Sequence, residues 1–114
     1  MQSLEIKRVL NLLKNNTKNI SFLDIRERKE YVHGFAFGSV NCPFSKFKYL
    51  IKELVPDVNT TLILIGIKNI NQKTQIQKIL KKLKYHRSFI IKGDYKIWKK
   101  NKIPLWAGEY TFSK

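Results

Sequence analysis

Only a few side chains in this 114-residue chain could act as nucleophiles or soft metal ligands: one thiol, Cys42, and two imidazoles, His33 and His86. A single cysteine excludes an intramolecular disulfide and a cysteine-based zinc cage, and two histidines without ligands at useful spacing do not replace one. We therefore expect no metal, no cofactor and no catalytic residue of the usual kinds. Cys42 ends a short β-rich run and reads as a buried, inert core residue, the alternative being sulfur relay through its thiol. Asp24 and Arg26 have the types of an acid/base pair. Two residues apart at a strand end, they read as a structural ion pair or as a clamp on the neighbouring loop. His33 reads as a surface histidine, and His86, between Tyr85 and Arg87, has no metal partner.

The other candidate site is a junction, "LILIGIKNINQKTQIQKIL" at residues 62–80, where an apolar run passes through a short polar link into an amphipathic helix. In α/β proteins such a link opens onto a helix N-terminus whose free amides favour anions. Ile67, Lys68, Asn69, Ile70, Asn71, Gln72 and Lys73 form this link, and none is a thiol, hydroxyl, imidazole or carboxylate. Two readings stay open: an anion pocket made by the amides with Lys68 and Lys73, or a loop capped by its own Asn, with Ile70 exposed or folded inward as a plug.

Charge offers a third site. The chain is formally +15, and residues 71–102 hold eleven Lys or Arg against one acid, Asp94. Lys78, Lys81 and Lys82, with Lys96, Lys99 and Lys100, fall off the apolar stripes of their helices. They make either a solvated face or a surface for RNA or another polyanion, whose binding would be backbone-driven and salt-dependent. Only four of the 23 basic residues are arginines (Arg8, Arg26, Arg28 and Arg87), and the abundance of Lys, Ile and Asn also matches AT-rich codons.

Three segments share a helical period that would position these groups. Ile6, Val9, Leu10 and Leu13, then Phe47, Leu50, Ile51 and Leu54, then Ile76, Ile79, Leu80 and Leu83 each recur at i, i+3, i+4, i+7. Ser3 and Ser45 stand at N-cap positions. Asn69 with Gln72 has capping-box spacing, Asn71 being the alternative cap of a helix reaching Lys84. A last helix is expected near 94–101, ahead of Pro104. Between helices lie β-rich runs at 20–25, 39–42, 61–65 and 88–91, of which 61–65 is apolar without alternation, as in a strand covered on both faces. Alternating strands and helices imply an α/β fold with right-handed crossovers and a parallel sheet. Hydrophobic residues at 43% suffice for one domain, and the longest apolar run, Leu62 to Ile67, is too short to span a membrane. With no signal-peptide core, a soluble cytoplasmic protein without membrane contact is expected. The ending "LWAGEYTFSK" stands apart: Trp106, Tyr110 and Phe112 are costly to leave in water and pack on the domain or on a partner, a second copy of the chain included.

The order of these motifs resembles rhodanese-like domains, the sulfurtransferase fold. "FLDIRERKEYVHGFAFGSVNCP" at 22–43 is similar to that family's strand ending in Asp-x-Arg, its Glu and aromatic on the next helix, two glycines and a strand ending in Asn-x-Pro. Asp24, Arg26, Glu30, Tyr31, Gly34, Gly38, Asn41 and Pro43 carry the likeness. "FIIKGDYKIWKKNKIP" resembles its closing strand, Gly turn and Trp-bearing helix, through Gly93, Trp98 and Pro104. The resemblance implies one domain over 1–104 with a parallel sheet of about five short strands flanked by helices on both faces, and a tail at 105–114. It also implies thiosulfate sulfurtransferase activity from a Cys directly after the central strand. Counting back from Leu83 and Tyr85 puts that position at Ile67, a one-residue shift at Gly66 or Lys68, and the family's loop-ending Arg at Gln72. None is a nucleophile, and persulfide transfer needs a thiolate. The expectation is a domain without sulfurtransferase activity, serving as a binding, regulatory or structural module for a protein partner. Sulfur relay through Cys42 or a partner's cysteine, and polyanion binding, are the alternatives.

Overall fold

The computed structural model describes residues 1–5, 7–9, 11, 19–36, 38–91 and 105–106. Five strands make one parallel sheet in the order β1-β6-β5-β2-β4: β1 is Gln2–Leu4, β2 Ile20–Asp24, β4 Val40–Asn41, β5 Thr61–Ile65 and β6 Ser88–Ile91. β3 (Phe35–Ala36) and β7 (Leu105–Trp106) form a separate antiparallel pair, with Phe35 opposite Trp106. Residues 7–9 and 11 are helical, and the helices given in full are α1 (Arg28–Tyr31), α2 (Phe47–Leu54, entered through a 3-10 turn at Phe44–Lys46) and α3 (Ile70–Lys82).

β5 is buried throughout, as its unalternating sequence predicts, and its side chains split between two cores. Leu62 and Leu64 face one side with Leu23, Phe47 and Ile51 of α2, and Ile76 and Leu80 of α3. Ile63 and Ile65 face the other with Leu4, Val9, Phe22, Ala36 and Ile91. The periodic stripes of α2 and α3 thus account for one layer. Of the first stripe Val9 is described and fully buried, while Ile6, Leu10 and Leu13 lie outside the described residues. So do the helix expected at 94–101, with Gly93, Trp98, Lys96, Lys99, Lys100 and Pro104, and the aromatics Tyr110 and Phe112.

Several boundaries differ from expectation. Ser3 is no helix cap but the middle of β1, opposite Ile90. This three-residue strand buries only Leu4, so it leaves no alternating pattern to read. The helix follows Glu5, whose carbonyl accepts from the Arg8 and Val9 amides at 3.0 and 3.2 Å. Ser45 does not cap α2. It sits inside the 3-10 turn and donates its hydroxyl to Glu27 Oε1 at 2.6 Å, a charged acceptor being stronger than a local carbonyl. α3 ends at Lys82, with Leu83 closing it and Lys84 at φ +69° turning the chain, a conformation that stops the helix short of Lys84.

Candidate functional site

β2 and β5 lie side by side over five paired positions, from Ile20 opposite Thr61 to Asp24 opposite Ile65. Beyond them the chain diverges: β2 leads through α1 to Ala36 in one core, β5 to α3 in the other. In open parallel sheets the crevice outside the carboxyl ends of two such strands is where ligands are held.

Here that crevice is filled by the protein. Asp24 is fully buried and grips Arg26 through two carboxylate oxygens, with Arg26 Nε at 3.1 and 3.2 Å and Nη2 at 2.8 Å, while the Arg26 amide donates to Asp24 Oδ1 at 3.0 Å. Arg26 Nη2 also donates to the Gly34 carbonyl at 2.6 Å, tying the loop after β2 to the segment entering β3. Asn41 completes the frame, its Nδ2 donating to the carbonyls of Asp24 at 3.0 Å and Arg26 at 2.8 Å. Tyr31 stacks on Phe35 at 4.3 Å between centroids and donates its hydroxyl to the Ser39 carbonyl at 2.7 Å; burial pushes its pKa up. Of the residues that carry the Asp-x-Arg to Asn-x-Pro likeness, Asp24, Arg26, Gly34 and Asn41 are therefore one connected bracket.

The loop after β5 is short. Gly66 has φ +94°, Ile67 is half-buried against the α2/α3 core, and α3 begins at Ile70, which is 72% exposed. Asn69 caps the helix: its Oδ1 accepts the Gln72 amide at 2.9 Å, and Gln72 Oε1 accepts the Lys68 amide at 2.9 Å. Two loop amides are thus taken by neutral side chains of the loop itself, a variant of the capping box with the return bond one residue further out. Asn71 is exposed and does not cap; Lys73 is half-buried in the first turn. Lys68 reaches across to Glu30 on α1, Nζ to Oε1 at 3.1 Å, and this bond holds the Glu30 carboxyl below its ordinary value of 4.5.

Cys42 is fully buried one residue past β4, between Asn41 and Pro43, and burial pushes its thiol up to about 12. His33 and His86 are exposed, and no group of three or more metal-ligating residues occurs among the described residues. Gly38 turns the chain into β4 with φ +88°. Lys78, Lys81 and Lys82 are all exposed on α3. Among the described residues no helix is long and apolar enough to cross a membrane. Three roles were not visible in the sequence: the contact of Gly66 with Arg26, which couples positions 40 residues apart with no shared motif, the use of Glu27 as acceptor for Ser45, and the Lys68–Glu30 bond.

A single α/β domain with a parallel five-stranded sheet and helices on both faces defines the class. The rhodanese-like domain family model matches residues 6–101, and the chain belongs to that family. No curated protein matches it. Among solved structures it is similar to a rhodanese-like domain from Anabaena sp. (16% identity, TM-score 0.77, all of this chain and 86% of that one). It also resembles a thiosulfate sulfurtransferase from Pseudomonas aeruginosa (21% identity, TM-score 0.78, 95% of this chain but 20% of that one). A third is a rhodanese from E. coli determined with anions (25% identity, TM-score 0.59, 78% and 99%).

Proposed function

We propose that this member of a sulfurtransferase family does not itself carry sulfur and serves in the cytoplasm as a binding module for a protein partner. The observation that carries the reading is the occupancy of the β5 terminus. Gly66 lies beneath the Arg26 side chain and Ile67 packs toward the core, so neither residue at the place from which the family's thiolate acts offers a thiol. The one thiol, Cys42, is sealed in the core and resists ionisation, which argues against relay through it. What remains is a rigid bracket with charged and apolar groups at its rim, Lys68 and Ile70 among them.

A thiosulfate-to-cyanide assay on the wild type and Cys42→Ala tests this. We expect both at background. Turnover by the wild type that is lost in the variant would overturn the reading in favour of sulfur relay.

A second reading, binding of RNA or another polyanion, is supported by α3, where Lys78, Lys81 and Lys82 are exposed and residues 71–91 contain no acid. Titrating labelled RNA at two salt concentrations would test it. Affinity that falls steeply with salt supports the reading, and affinity indifferent to salt would sink it.

A further inference from the structure

Far from the Gly66 loop, near the amino ends of β2, β5 and β6, is a cavity of about 250 Å³ that the rhodanese-like bracket does not use. Its polar lining includes Arg8, Arg87, Asn19 and Asn59, and its apolar wall is Leu4, Ile20 and Phe89. No carboxylate is among the described residues that line it. The acid on the adjacent turn, Asp57, is engaged in accepting the Asn59 amide at 2.9 Å.

The residue types are selective. Of four arginines in the chain two line this cavity, although lysine supplies most of the positive charge. A guanidinium presents a planar fork that matches the oxygens of a carboxylate, sulfate or phosphate, and carboxamides add neutral donors beside it. Both arginines project from backbone that is held independently of their side chains. The Arg8 amide donates to the Glu5 carbonyl at 3.0 Å, and the Arg87 carbonyl accepts from the Leu62 amide at 2.7 Å. The net charge of +15 raises the local concentration of anions further.

We propose that this cavity binds a small organic oxyanion, its charged group held between Arg8 and Arg87 and a compact apolar body set against Ile20 and Phe89. The volume lies just below the range of about 300 Å³ and upward usual for drug-sized ligands, which favours a ligand of few atoms. A free small molecule and the phosphate of a nucleic-acid chain share this chemistry, and the isolated concave shape with an apolar wall favours the former.

The test is an NMR titration of the whole chain, amide by amide, at fixed ionic strength, with phenyl phosphate, inorganic phosphate, phenol and a short oligonucleotide. Saturable shifts with phenyl phosphate centred on Ile20, Thr61 and Phe89 are expected, with phenol giving none. Arg8→Gln and Arg87→Gln should each weaken binding about tenfold or more while leaving the other amide positions unmoved. Shifts that do not saturate, that persist in the double variant, or that centre on residues 66–73 would overturn the proposal. So would an oligonucleotide that outcompetes phenyl phosphate at these amides. Inorganic phosphate binding equally well would remove the apolar half of it.

Discussion

The side chain of Arg26 lies across Gly66: a Cβ built on that glycine would stand 2.7 Å from Arg26 Cγ and 3.3 Å from Asp24 Oδ1. The loop after β5 can therefore pass beneath the Asp24–Arg26 pair only if its first residue has no side chain. Gly66 also has φ +94°, whereas Gly38, at φ +88°, has open space where a Cβ would be. The two glycines separate conformational cost from crowding. Gly38→Ala should cost about 1–2 kcal/mol from backbone strain alone, and Gly66→Ala clearly more, because Arg26 must also move. Urea denaturation of both variants measures the gap; equal losses would mean that the Arg26 contact is soft.

Asp24 is buried and Arg26 nearly so, with 15% of its side chain exposed, so removing one partner leaves the other charge unpaired. Asp24→Asn should destabilise by about 3–5 kcal/mol. The double variant Asp24→Asn with Arg26→Met should recover part of that loss. A double-mutant cycle by chemical denaturation would show no coupling if the pair were ornamental.

Much of this frame could be read from the sequence because it rests on local rules. β5 and β6 fall at the predicted residues since an apolar or β-branched run bounded by polar turns has few other uses. The stripes of α2 and α3 bury Phe47, Ile51, Ile76 and Leu80 as their period requires. The strands β1, β3 and β7 were not legible. Two or three residues long, they carry no periodicity and are defined by partners distant in the chain, Ile90 for Ser3 and Trp106 for Phe35. At the site, the spacing of Asn69 and Gln72 announced a cap, but nothing local announced that Lys68 would meet Glu30, 38 residues away.

Asn69 and Gln72 tie the loop to the first turn of α3. Asn69→Ala removes the acceptor of the Gln72 amide and should cost about 1 kcal/mol, with the loss confined to faster hydrogen exchange in the first turn of α3. A global loss several times larger would mean that the cap supports more than the helix end.

Placing a thiol in the loop after β5 tests whether sulfur transfer there would need more than the atom itself. In Ile67→Cys the side chain should stay half-buried against the α2/α3 core, and the Lys68 and Gln72 amides remain occupied by Gln72 Oε1 and Asn69 Oδ1. Persulfide chemistry needs donors free to stabilise a sulfur anion. The expected outcome is sulfurtransferase activity at background and a new thiol no more acidic than an ordinary cysteine, read by the pH dependence of alkylation. Robust turnover would show that the loop rearranges around the anion.

The Lys68–Glu30 bond spans the crevice between the loop after β5 and α1, and it makes stability depend on pH in one direction. Its hydrogen bond lowers the Glu30 pKa below the ordinary 4.5, so between the two values the unfolded state binds more protons, and stability rises with pH. The contribution is complete above about 4.5 and disappears as pH falls through the lowered folded value. The side chains are 55% and 36% exposed, so solvent screening keeps the bond to about 0.2–1 kcal/mol. Glu30→Gln should therefore be less stable than the wild type by that amount at neutral pH and indistinguishable from it in strong acid. Denaturation midpoints of the two proteins across this range decide the matter: a gap that persists or widens in acid would show that Glu30 acts through packing and not through its charge.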